Sequence, residues 1–361
     1  MMMATGLREQ CHTFLSGNRE QTPAELFSAM ATWCEQNNIK HDVYGDGEAI
    51  EQFENKIAQL LGFESALFVI SGTMTQPTAL QLACQQRHCF NVAMHETCHV
   101  MRHEGQGYQL QQRFNVLPVG DAYRPWSVED LKAWPDELAA AVYELPMREL
   151  GGQLPGWDEL EKIKSYCHDQ DIHLHMDGAR LWESAAYYEC SYADIAHGFD
   201  SVYVSLYKGV NGLGGSLLLG NHDFIKKARL WMRRQGGNVY HRTPYIVSAA
   251  MQFDERIARM GALFERTQQV YQIFHDYLDF ELNPRAPQAN MFHWYLPVSY
   301  EKALVLRDKL AKAKGIWLGN PQTAPQPDRC VIECYVGDRL LDMSDHDLID
   351  ILEWVNDYVH E

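Results

Sequence analysis

Residues 200–220 read DSVYVSLYKGVNGLGGSLLLG. SVYVSL (201–206) and GSLLLG (215–220) are apolar runs of strand length, and the segment joining them carries Lys208 with Gly209, Gly212, Gly214 and Gly215 close by. An arbitrary lysine is a solvated surface group. A lysine at a strand end, beside glycines that let other backbone approach, is partly stripped of water; this lowers its pKa and suits it to act as an imine-forming amine. Two strands closing on such a loop point to a sheet whose strand ends do chemistry.

Working outward, the same kind of apolar run recurs at SALFVI, CFNVAM, FNVLPV, AAAVYEL and IHLHMD. Between the runs, TQPTALQLACQQ, SVEDLKAW and PGWDELEKIKSYCHDQ have helical periodicity. Strand and helix in alternation predict an α/β fold with a mostly parallel seven-stranded sheet flanked by helices, and ligands of such sheets gather at the carboxyl ends of the strands. After residue 220 the composition shifts. FIKKARLWMRRQ and a stretch from about 244 to 276 read as long helices, strands follow near 290–296 and 329–336, and DHDLIDILEWVNDYV reads as a final helix. The expected division is an N-terminal arm and helix over 1–40, a large α/β domain over 41–242 and a smaller α/β domain over 243–361.

At 361 residues and 46% hydrophobic the chain can bury a large core. A net charge of −17 argues against nucleic acid or an anionic membrane as a general partner. No apolar run approaches a membrane span, and MMMATGLREQCHTF lacks the apolar core of a secretory signal, so a cytoplasmic protein is expected. The nine cysteines are scattered without a C-x-x-C pair, which argues against a disulfide framework and a cysteine zinc site. Alternation in RCVIECYV places Cys330 and Cys334 on one face of a strand.

Two further strand ends carry polar groups. In LFVISGTMTQPTAL a strand runs through Ser71, Gly72 and Thr73 into a helix, so free N–H groups and hydroxyls meet the positive end of a helix dipole and form a phosphate cradle. The same residues also read as an ordinary N-cap. In IHLHMDGARLW a strand ends at Asp177 with Arg180 three residues on. The carboxylate suits a protonated ring nitrogen and the guanidinium a substrate carboxylate, while a helix cap with a local ion pair is the alternative. Cradle, strand-end aspartate and glycine-lined lysine together match what pyridoxal 5'-phosphate requires.

HETCH at 95–99 fits the H-E-x-x-H pattern of zinc peptidases, with His103 continuing the spacing. That chemistry needs His95 and His99 on one helical face. The preceding CFNVAM reads as a strand, and Gly105 and Gly107 close the segment soon after.

With these pieces in place, the chain resembles the low-specificity L-threonine aldolases, within the aspartate-aminotransferase-like group of pyridoxal-phosphate enzymes. The matching segments are VYGDGEAIEQFENKIAQLLG, ALFVISGTMTQPTAL, HVMRHEGQG, HMDGARLW and SLYKGVNGLGGSLLLG, with a weaker match at RCVIECYV. The resemblance implies that Lys208 carries the cofactor, Asp177 holds its pyridinium, and Ser71, Gly72, Thr73 and Ser205 belong to the cofactor site. It also implies that His99 stacks on the cofactor ring and that no metal is bound, which makes HETCH a decoy. Arg180 and Arg329 would bind the substrate α-carboxylate, and Tyr44 would reach a neighbouring subunit's site in a homo-oligomer, a dimer of dimers. The implied reaction is retro-aldol cleavage of a β-hydroxy amino acid such as L-threonine or L-allo-threonine.

The resemblance has gaps. Where the family carries E-N-T-H-N before a glycine pair, this chain has ELPMRELGG, so Met147 stands at the histidine position and Arg148 and Glu149 follow. Gln76 or Pro77 replaces an expected asparagine, VYHR (239–242) an expected arginine, and FLSGNREQTP departs from S-D-T-x-T. Two other expectations therefore stand beside an aldolase: a β-eliminating or other Cα-bond lyase, and a non-catalytic protein that binds the same cofactor.

Overall fold

A computed structural model of the chain describes residues 6–360. The chain divides into two compact units. The larger comprises Gln21–Glu149 and Leu154–Ala258; the smaller comprises the described residues up to Glu20, Leu150–Gln153, and the chain from Arg259 onward.

All seven expected strands of the larger unit form: β1 (Ser65–Val69), β2 (Asn91–His95), β3 (Asn115–Val119), β4 (Ala140–Glu144), β5 (His173–Gly178), β6 (Ser201–Ser205) and β7 (Ser216–Gly220). Their spatial order is β1-β7-β6-β5-β4-β2-β3. Only β7 runs antiparallel to its neighbours. The sheet is therefore mostly parallel, and every residue of β4, β6 and β7 is buried, as helices on both faces require. One apolar layer joins Leu67 and Val69 of β1 to Ala79 and Leu82 of α1 (Gly72–Arg87) and to Phe224, Ile225 and Met232 of α2 (His222–Arg234). Full burial of each large aliphatic or aromatic side chain contributes about 1.5–3 kcal/mol, so this layer anchors α1 against the sheet.

The smaller unit is built on an antiparallel four-stranded sheet of β8 (Glu281–Asn283), β9 (Met291–Leu296), β10 (Gln322–Thr323) and β11 (Cys330–Tyr335), in the order β10-β11-β9-β8. Cys330, Ile332 and Cys334 alternate into its core, as the sequence pattern predicts.

Three expectations about organisation are corrected. The boundary at 242/243 falls inside the larger unit, which runs on to Ala258. Ile246, Val247 and Phe253 are buried there, and the Phe253 ring packs edge-on against Phe53 and Trp182. The single helix expected over 244–276 is three: Thr243–Ala250, Phe253–Ala258 and Met260–Tyr277. Finally, residues 1–40 are not a separate arm. Thr13–Phe14 pairs in parallel with Ile316–Trp317 in the smaller unit, whereas helix Pro23–Gln36 packs on Thr243–Ala250 in the larger. Residues 1–5 of that arm lie outside the described residues.

Candidate active site

The parallel strands bring their carboxyl ends to one edge of the sheet, and β7 starts there. Sequence positions far apart thereby become neighbours through strand register: Glu144 pairs with Asp177, Asp177 with Tyr203, and Ser205 with Ser216.

Lys208 follows β6 by one turn. The Ser205 hydroxyl oxygen, fully buried, accepts from the backbone N–H of Tyr207 and of Lys208 at 3.3 Å each, so Ser205 shapes the turn that presents the lysine. Burial pulls the Lys208 ammonium down to about 8, Arg180 pulls the same way, and Asp177 and Glu144 oppose it. Lys208 thus lies within electrostatic reach of Asp177 and Arg180. Asp177 is 1% exposed; its Oδ1 accepts from the Ala179 N–H at 3.1 Å and its Oδ2 from Gln76 Nε2 at 2.9 Å. Gln76 therefore has a definite task, orienting the carboxylate. Arg180 keeps a buried Nε without a hydrogen-bond partner, a donor left for a ligand.

Ser71, Gly72 and Thr73 open α1. Ser71 caps α1, its Oγ accepting from the Met74 N–H at 3.3 Å, and Thr73 is exposed in the first turn. A Cβ on Gly72 would fall 2.4 Å from the Tyr203 hydroxyl, so only glycine lets the helix start this close to β6. Sixteen residues of helix put the free N–H groups and the positive dipole end here.

HETCH does not form a helix. His95 ends β2 and His99 begins the short helix His99–Arg102. The His95 Nε2–H donates to the Asp121 carbonyl at 2.6 Å and Nδ1 faces the Thr97 hydroxyl at 2.7 Å. Both ring nitrogens are engaged, and burial lowers the His95 pKa, so it serves as a neutral strut. His99 Nδ1 donates to Glu104 Oε1 at 3.2 Å, which fixes its ring; burial raises the Glu104 carboxyl, and His99 counters that rise.

Glu144 and Cys98, which sequence reasoning did not single out, also reach this edge. Their ligand atoms and that of Asp177 lie within 4.8 Å of one another. Burial and the neighbouring Asp177 push the Glu144 carboxyl up to about 7, and burial pushes the Cys98 thiol well above its usual range. A cation would need both deprotonated. The signal for Glu144 was a charged residue inside the apolar run AAAVYEL.

Met147 is fully buried. Beside it Glu149 Oε1 accepts from His103 Nε2 at 3.0 Å and from Arg148 Nη1 at 3.3 Å. Tyr44 is half exposed, its ring edge-on to Tyr240. Arg329 belongs to the smaller unit, where it precedes β11 and pairs with Glu281 at 2.5 Å. Trp182 is core, enclosed by Tyr192 and Phe253.

Fold and site together define an α/β protein of the aspartate-aminotransferase type. A family model for beta-eliminating lyases matches residues 22–295. The chain belongs to that family. It is 30% identical over 236 residues to the low-specificity L-threonine aldolase of Eremothecium gossypii, covering 63% of this chain and 59% of that protein. The match to the curated relatives thus spans under two thirds of their own length. A solved structure from Listeria monocytogenes EGD-E, provisionally assigned as an L-allo-threonine aldolase, superposes with a TM-score of 0.90 at 35% identity, covering 99% of both chains. One from Exiguobacterium sp. 255-15, provisionally assigned as an aromatic amino acid beta-eliminating lyase/threonine aldolase, does so with 0.90 at 34% identity, covering 97% of this chain and 99% of that one. No helix among the described residues is long and apolar enough to cross a membrane.

Proposed function

We propose that the protein is a pyridoxal 5'-phosphate-dependent lyase that cleaves the Cα–Cβ bond of β-hydroxy amino acids, L-threonine and L-allo-threonine among them, to glycine and an aldehyde. The observation that carries this reading is the convergence of Lys208, Asp177, Arg180 and the Ser71–Thr73 cradle on one sheet edge. The donor set fits the cofactor. The α1 N-terminus and the Ser71 and Thr73 hydroxyls suit its phosphate, the Asp177 carboxylate its ring nitrogen, and Lys208 its aldehyde. When bound, the cofactor supplies an electron sink for a bond broken at Cα.

The protein's own groups do the rest. Lys208, lowered to about 8, reaches its uncharged, nucleophilic form near neutral pH. Asp177, with both oxygens hydrogen-bonded, holds a positive ring nitrogen in place. His99, oriented by Glu104, covers the ring, and the unpartnered Nε of Arg180 binds the substrate carboxylate. For Arg329 and for Tyr44 the support is the resemblance alone. For assembly into a homo-oligomer, a dimer of dimers, the support is likewise the resemblance, and nine free cysteines support a reducing, cytoplasmic setting.

Met147 at the position of the family's histidine favours a second reading, β-elimination from a substrate without a β-hydroxyl. Incubation with threonine isomers, phenylserine, cysteine and tryptophan separates the two. Glycine with an aldehyde is the expected product; pyruvate without glycine supports elimination and contradicts the aldolase.

A further inference from the structure

Retro-aldol cleavage needs a base for the β-hydroxyl proton, and Met147, buried and without a lone pair basic enough, supplies none. The segment that follows Met147 leads to one. His103 follows His99 by one helical turn, with ring centroids 5.2 Å apart, so it stands beside the ring assigned to cover the cofactor. Its side chain is 39% exposed, open to a ligand, while Glu149 arrives from the turn after β4. The Nε2–H of His103 donates to Glu149 Oε1 at 3.0 Å, and Arg148 Nη1 holds the same oxygen at 3.3 Å. An imidazole whose Nε2–H is committed to a carboxylate has its basic lone pair on Nδ1, and the carboxylate stabilises the imidazolium that forms when Nδ1 takes a proton.

We propose that His103, oriented by Glu149, is the general base for the β-hydroxyl, replacing the histidine that Met147 displaces. This rests on the aldolase reading above. The hydroxyl proton moves to His103 Nδ1, the O–H electron pair becomes the second bond of the aldehyde carbonyl, and the Cα–Cβ pair stays with the glycine fragment. That fragment takes up a proton, so the products sum to the substrate.

The test uses full-length protein saturated with pyridoxal 5'-phosphate. H103Q, which can still donate to Glu149 but is not basic, should lower kcat for phenylserine or threonine cleavage by about 10²–10³-fold. The cofactor absorbance and the dissociation constant for glycine should stay within about threefold of wild type, on the scale of small local changes. E149Q, which leaves the base in place but removes the carboxylate that orients it, should lose about tenfold, less than removal of the base itself. H103A should lose as much as H103Q and regain cleavage when free imidazole is added. Wild-type cleavage by H103Q, loss of cofactor absorbance in H103Q, or an H103A defect that imidazole does not relieve would each overturn the assignment. Wild-type protein that releases no glycine from any β-hydroxy amino acid would instead overturn the aldolase reading.

Discussion

Glu144 and Asp177 meet because β4 and β5 pair in register, and burial with a like charge then holds the Glu144 proton to about pH 7. A carboxyl raised in the folded state favours folding below its ordinary value of 4.5 and loses that contribution as pH rises through about 7. E144Q keeps an acceptor for the Arg148 N–H but cannot ionise. Relative to wild type, the variant should therefore gain stability between pH 5 and pH 8, by roughly 2 kcal/mol. Urea denaturation of the cofactor-free protein at the two pH values measures this; a difference that does not change with pH would refute the shift. Lys208 and Asp177 were legible in the sequence because each ends an apolar run, and glycines mark the lysine loop. Glu144 interrupts such a run near its end, but its consequence depends on which strand lies next to it. The His103–Glu149 pair was hidden for the same reason, since 46 residues separate its members.

Among the elements, α1 does most for the site, because one N-terminus presents Ser71, Gly72 and Thr73, and three residues further on Gln76 reaches Asp177. Its close start against β6 depends on Gly72. In G72A the new methyl would lie 2.4 Å from the Tyr203 hydroxyl and 2.9 Å from the ring carbon that bears it. Tyr203 is 2% exposed and has little room to withdraw, so the helix start must shift. G72A should weaken cofactor binding at least about tenfold, equivalent to about 1.4 kcal/mol; a fluorescence titration with unchanged affinity would refute the cradle. Strands and their helices were readable here because apolar runs and turn residues alternate cleanly. The 244–276 stretch was not, since the breaks at Met251–Gln252 and Arg259 carry neither glycine nor proline and leave the apolar spacing intact.

For the whole molecule, the fold class and the mostly parallel sheet followed from the βαβ pattern, whereas the spatial order of the strands and the division into units did not. Residues 243–258 look like the start of a C-terminal helical region, yet Ile246, Val247, Ala249 and Phe253 are buried in the larger unit. Composition reports that a helix is amphipathic, not which sheet it covers. At one edge of the larger unit's sheet, five strand ends lead into Lys208, Asp177, the Ser71–Thr73 helix start, His99 and the turn that carries Glu149. In the proposed function Lys208 is the covalent anchor of the cofactor. Borohydride reduction of the protein saturated with pyridoxal 5'-phosphate, followed by peptide mass spectrometry, reads this directly. A single reduced cofactor on the peptide containing Lys208, absent from K208A, is the predicted result; an unmodified Lys208 peptide after saturation would contradict it.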